Sequence, residues 1–143
     1  MSRSKPISKA QYETLASFRF ALRKFLRFSE NAANEAGITA QQHQALLAIK
    51  GCPEHDYLTV GELADRLQIA HHSAVGLVDR LAAEKLTVRK PSPTDRRQAC
   101  IHLTPKGEKI LESLSEVHRE QLRRIGPELG QLLQRLGNGE ESP

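Results

Sequence analysis

The stretch Thr59-Val-Gly-Glu-Leu-Ala-Asp-Arg-Leu67, Gln68-Ile-Ala70, His71-His-Ser-Ala-Val-Gly-Leu-Val-Asp-Arg-Leu-Ala-Ala-Glu-Lys85 decides how the rest of the chain reads. Thr59 followed three residues on by Glu62 is the spacing of a capping box, in which each side chain takes up the other's free backbone N–H. Val60, Leu63, Ala64 and Leu67 then repeat at helical spacing. Gln68-Ile69-Ala70 is too short to be more than a turn. From His71 to about Lys85 the pattern is helical again, with Ala74, Val78, Leu81 and either Leu77 or Ala82 inward. Two short helices joined by three residues make a helix-turn-helix.

The next twenty residues strengthen that reading. Thr87-Val-Arg-Lys90 reads as a strand and Pro91-Ser-Pro-Thr-Asp95 as a turn-rich loop. Ala99, Ile101 and Leu103 alternate with Gln98, Cys100 and His102, the period of a half-buried strand. A two-stranded ribbon directly after a helix-turn-helix is a wing, and its expected tip carries Arg89, Lys90, Arg96 and Arg97. Residues 80–107 hold seven basic and two acidic residues, in a 143-residue chain of net charge +4. Such a basic block suits a polyanion or a solvated charged surface equally well.

Outward from this unit the chain is mostly helical. Thr39 and Gln42 open a helix over 39–51 by the same capping-box spacing, and Gly51-Cys-Pro53 ends it. Segment 8–36 is a long helix, with Ser8 as its cap and Gly37 after its end. Leu15, Phe18, Leu22 and Phe25 form one face, while Phe20, Leu26 and Phe28 add apolar surface elsewhere. A helix greasy on several faces needs more than one partner, which points to a subunit interface over plain core packing. Thr104-Pro105 starts a helix that runs to Ile125, Gly126-Pro127 breaks it, and Glu128–Leu136 forms a last helix. Residues 1–6 and 137–143 read as loose ends.

The length corresponds to one domain, large enough to bury a core without disulfides or metal. No apolar run reaches the ~20 residues of a membrane span, and Met1–Ile7 lacks a secretory apolar stretch. With only Cys52 and Cys100, a reduced cytoplasmic chain with no membrane association is expected. No phosphate loop, nucleophile elbow or carboxylate pair is visible, so an enzyme is not expected. No HxxxH or CxxC spacing exists, and a helix points His71 and His72 about 100° apart, so neither metal nor cofactor is expected.

These features together resemble the MarR family of winged helix-turn-helix transcription regulators. The resemblance rests on Asp95-Arg-Arg97, followed by Leu103-Thr-Pro-Lys-Gly107, on Leu63-Ala-Asp-Arg-Leu67, and on Val78-Asp-Arg-Leu-Ala-Ala-Glu-Lys-Leu86. It extends in element order from about residue 10 to residue 136. It implies a mainly α fold: a winged helix-turn-helix lobe with a two-stranded wing over 39–104, flanked by dimerisation helices at 8–36 and 105–136, in a single domain over 1–143. It further implies a triangular obligate homodimer on a pseudo-palindromic operator in double-stranded DNA, acting as a ligand-responsive repressor. Ala70 departs from the Ser or Thr that often caps the recognition helix in the family.

The expected DNA-reading residues follow from the helical wheel. His71 opens the recognition helix. His72 and Ser73 would offer hydrogen bonds to base edges or phosphates, and Val75 would meet a thymine methyl. Gly76 would admit close backbone approach. Arg80 would bind phosphate or guanine, or pair with Glu84 four residues on. In the wing, one of Arg96 and Arg97 would grip DNA while the other pairs with Asp95, which has a structural role; the resemblance makes Arg97 the DNA contact. Phe18, Phe25 and His43 are candidates for a cleft holding a small aromatic or anionic effector. The stripe Arg19, Arg23, Arg27 is solvated, pairs with acidic residues at 112, 116 and 120 of the partner helices, or holds an anion. Two alternatives remain: a thiol redox sensor on this scaffold, using Cys100 beside Arg97 and His102, and a DNA-independent helical interaction module. A helix C-terminus disfavours a thiolate at Cys52.

Overall fold

The computed structural model describes residues 5–138. The elements run α1 (Lys9–Glu35), α2 (Ala40–Lys50), β1 (Tyr57–Leu58), α3 (Val60–Leu67), α4 (His71–Ala83), β2 (Thr87–Pro91), β3 (Ala99–Leu103) and α5 (Pro105–Asn138). The protein is mainly helical, with one small antiparallel sheet in the order β1-β3-β2.

Local chemistry sets the helix ends. Ser8 and Gln11 cap α1 reciprocally: the Ser8 hydroxyl accepts from the Gln11 N–H at 3.2 Å and Gln11 Oε1 accepts from the Ser8 N–H at 2.8 Å. Thr39 with Gln42 and Thr59 with Glu62 form the two expected capping boxes. α1 stops at Gly37, whose φ of +87° costs a residue without Cβ nothing. The Ile38 N–H then reaches back to the Ala33 carbonyl at 3.1 Å. Gln68 (φ 55°) and Lys85 (φ 60°) make the same left-handed exits from α3 and α4 without being glycine.

The described residues fall into two compact units, Glu30–Glu116 and the pair of segments to Ser29 and from Val117. The first holds the winged helix-turn-helix around a core that includes Leu46, Ile49, Leu63, Leu77, Leu81 and Ile101, each no more than 1% exposed. Leu77, not Ala82, completes the inner face of α4. Within the second unit, His118 Nε2 lies 2.8 Å from the Ser29 hydroxyl, and Phe25 and Phe28 meet the His118 ring edge-on.

Four expectations need correction. The sheet has a third strand, since Tyr57 and Leu58 pair with His102 and Ile101 of β3. The strict alternation along β3 fails, because Cys100 and Ile101 are both buried. The break at Gly126-Pro127 is absent: α5 is one helix of 34 residues with Pro127 inside it. Pro127 lacks the N–H that would bond the Arg123 carbonyl, but its position is exposed and water can take that bond. Residues 137 and 138 continue α5 instead of forming a loose end. Residues 1–4 and 139–143 of the expected loose ends lie outside the described residues.

Candidate nucleic-acid interface

α4 is held from below by Ala74, Leu77, Val78 and Leu81, all buried. That fixes which side faces outward. His71, His72, Val75 and Arg80 are exposed, while Ser73 and Gly76 are half-buried between them. Ala70 at the N-cap has extended geometry and makes no side-chain cap bond. The first α4 N–H groups are therefore left without the acceptor a serine or threonine would supply, at the end where the helix dipole is positive. A Cβ on Gly76 would lie 3.4 Å from Arg80 Nη1, so the guanidinium folds back along the outer face toward the start of the helix.

The wing tip is built around two short side chains. The Ser92 hydroxyl accepts from the N–H groups of Thr94 and Asp95, both at 3.3 Å. The Ser92 N–H reaches the Gln98 carbonyl at 3.0 Å, and the Gln98 N–H reaches that of Asp95 at 3.0 Å. Asp95 Oδ1 accepts from the Arg97 N–H at 3.0 Å and lies 3.5 Å from Arg97 Nε. Arg97 is the arginine that faces Asp95, yet its side chain stays 93% exposed, so water screens this contact heavily. Arg96 and Lys90 are exposed as well.

Arg89 is not at the tip. It lies on β2 opposite Ile101, and its Nη2 meets Asp79 Oδ1 of α4 at 2.7 Å. The pair ties the wing to the outward helix. Residues 79 and 89 are ten apart on different elements, so no short-range spacing signalled it.

The base of the wing is latched by Thr104 and Gly107. The Thr104 hydroxyl donates to the Lys85 carbonyl at 2.6 Å and accepts from the Gly107 N–H at 3.1 Å, and the Thr104 N–H bonds the Leu86 carbonyl at 3.0 Å. Leu103-Thr-Pro-Lys-Gly107 is thus a joint between the end of α4 and the start of α5. On the far side of the sheet His55 stacks on Tyr57 at 3.8 Å, and Tyr57 meets His102 at 4.9 Å. Burial first, and Lys90 second, hold the His102 pKa below the usual histidine value.

Phe18 and Phe25 are half-buried on α1, and His43 is 2% exposed within the core of the lobe. Cys100 is 1% exposed and Cys52 half-buried. No group of three or more His, Cys, Asp or Glu among the described residues is placed to hold a metal ion.

Comparison with known proteins agrees with this geometry. Residues 36–98 match the model of the MarR family. Over 66 residues, 46% of this chain and 45% of the relative, the sequence is 36% identical to the uncharacterized HTH-type transcriptional regulator YsmB of Bacillus subtilis. The chain spans about half the length of the curated relatives it matches first, 45% and 57%. The crystal structure of AbsC, a MarR family transcriptional regulator from Streptomyces coelicolor, superposes with a TM-score of 0.74 at 17% identity, covering 95% of this chain and 93% of that one. A mutant MarR from E. coli complexed with operator DNA superposes with a TM-score of 0.58 at 25% identity, covering 82% and 78%. Residues 36–98 are therefore similar to the MarR family, in a chain that takes the fold of that family's solved members.

Proposed function

We propose that the chain is a DNA-binding transcription regulator that works as a homodimer, with α4 in the major groove and the β2–β3 hairpin beside it. The observation that carries this reading is the outer face of α4. A helix packed firmly underneath presents an uncapped N-terminus, His71, His72, Ser73 and Val75 outward, in the same lobe as an arginine-tipped hairpin. The open N–H groups suit a phosphate oxygen. His72 and Ser73 donate to base edges or phosphates, and Val75 supplies apolar contact. Gly76 lets the helix approach closely, Arg80 and Lys90 take phosphates, and Arg96 and Arg97 hold the flanking groove. Arg89 keeps the wing in place. The similar fold of a mutant MarR complexed with operator DNA supports DNA as the partner.

A two-fold pairing follows from the helical segments outside the lobe. Tyr12, Leu15, Phe20, Leu26, Val117, Leu122 and Leu133 are 44–62% exposed there. A second copy is the partner that covers such a surface on both molecules at once. Repression released by a small aromatic or anionic ligand, in the cytoplasm, completes the reading. The ligand must bind best to the conformer whose two α4 helices are wrongly spaced for DNA. No helix among the described residues is long and apolar enough to cross a membrane.

Selection of bound duplexes from a random pool, at several salt concentrations, tests this directly. Enrichment of an inverted repeat with half-sites about one helical turn apart is expected. A monomer in sedimentation that enriches no sequence would overturn it, and would favour the helical interaction module instead.

A further inference from the structure

A cleft of about 540 Å³ opens within the lobe, away from the exposed N-terminal half of α4. Its walls are the turn after α1, the start of α2 and the last turn of α4. Ile38 and Ala83 supply apolar lining, while Thr39, Gln42, Arg80 and Glu84 supply the polar groups. Gln42 is 4% exposed and both ends of its amide are bonded: Oε1 accepts from the Thr39 N–H at 2.9 Å, and Nε2 donates to Glu84 Oε2 at 2.7 Å. That second bond fixes the Glu84 carboxylate at the cleft edge.

Arg80 and Glu84 sit four residues apart on α4, the spacing at which opposite charges normally pair. No such pair forms. The guanidinium folds toward Gly76, one turn back, while Gln42 holds the carboxylate. The cleft thus carries one cation and one anion, separated and not neutralising each other. A simple anion would gain Arg80 but face Glu84, and a simple cation the reverse. A molecule bearing both charges satisfies both. The Arg80 head lies toward Gly76 and the Glu84 carboxylate lies on Gln42, so the two charges are drawn apart, which favours charges at opposite ends of a short aliphatic chain over charges on adjacent atoms.

The geometry points to a binding site for a small ω-amino acid, its carboxylate on Arg80, its ammonium on Glu84 and its methylenes on Ile38 and Ala83. Because Arg80 is also a proposed phosphate contact, an occupied cleft holds its guanidinium off DNA and weakens DNA binding. Only this coupling rests on the proposed function; binding to the cleft does not.

The test is a titration of the full ¹⁵N-labelled chain with 5-aminopentanoate, pentanoate and pentylammonium, followed by the amide signals of Gln42, Arg80 and Glu84. Saturable shifts are expected for 5-aminopentanoate below about 50 mM, with each single-charge compound at least about tenfold weaker. Arg80→Ala and Glu84→Gln should each abolish saturation, while the remaining spectrum reports an intact fold. Equal binding of pentanoate, no saturation by 5-aminopentanoate, or saturation that survives both substitutions would overturn the site. In DNA titrations, saturating 5-aminopentanoate should lower affinity by the same factor as Arg80→Ala. Unchanged affinity would overturn the coupling while leaving the site, and absence of any DNA binding would instead strike the proposed function.

Discussion

Gly107→Ala is the substitution the joint at the wing base is least able to absorb. A Cβ there would press into the backbone carbonyl oxygen of Leu86 and lie 3.1 Å from its carbonyl carbon. The obstacle is main chain, in a residue only 1% exposed, so no side chain can swing aside. The same carbonyl already accepts the Thr104 N–H at 3.0 Å, so moving it also strains that bond. Overpacking of a tight site costs about 1–3 kcal/mol, and relief requires shifting the start of α5 or the entry to β2. Replacing glycine within a helix returns up to about 1 kcal/mol. The net expectation is a loss of about 1–2 kcal/mol, about five- to thirtyfold in the folded-to-unfolded ratio. Urea denaturation followed by circular dichroism, at one protein concentration, measures it. Gly61→Ala is the control, since nothing lies within 4 Å of its added methyl, and it should unfold no earlier than the parent. If Gly107→Ala matches or exceeds the parent in stability, the joint is not the close backbone contact described.

Replacing Arg96 and Arg97 together by Ala should weaken binding to all duplex sequences and flatten the log–log salt dependence by about 0.9 for each phosphate that is no longer neutralised; an unchanged slope removes the wing from the interface. Arg89→Ala should leave that slope nearly intact and cost under about 1 kcal/mol, because the pair with Asp79 is half-exposed. The swapped pair Asp79→Arg with Arg89→Asp should recover part of the loss, and a slope that falls on Arg89→Ala would make it a DNA contact after all. Lys85→Gly should stabilise the lobe by about 1 kcal/mol, since Lys85 exits α4 at φ 60°, and a destabilised variant would contradict that account. For His102, burial and Lys90 lower the folded-state pKa, with His55 opposing the charged form and Asp56 favouring it. The unfolded chain therefore binds the proton more readily. This contribution is fully present above about pH 6.5 and is lost as pH falls through the lower folded value. His102→Gln should reduce the decline in stability over that window, and an unaltered pH profile would show that His102 does not drive it.

The helix-turn-helix was legible because its signals are short. Thr59 with Glu62, Thr39 with Gln42, and the 3–4 spacing of Ala74, Val78 and Leu81 act within one or two turns, and each appears where its spacing placed it. The hairpin was legible for the same reason, as two short runs around a Pro-Ser-Pro turn. β1 was not: two residues carry no periodicity, and Tyr57 and Leu58 become a strand only because β3 offers them an edge. Pro127 signals a break only when it is read apart from its neighbours. Leu122, Ile125, Leu129, Leu132 and Leu136 keep helical spacing straight through it, a signal that was present and outweighs one lost hydrogen bond.

The identities of the outward residues on α4 are written in the chain, as are the caps and the basic block over 80–107. Which arginine is tied to helix α4 and which stay at the wing tip is not. Arg89, Arg96 and Arg97 are the same residue type in one basic stretch, and their roles separate only when folding brings Asp79 against one and Asp95 against another. The Thr104–Gly107 joint and the held-apart charges of Arg80 and Glu84 arise in the same way, from partners about twenty and forty residues distant. Backbone propensity and capping act between neighbours, so they survive in a linear reading. Ion pairing and close packing depend on distances that exist only after the chain has closed on itself.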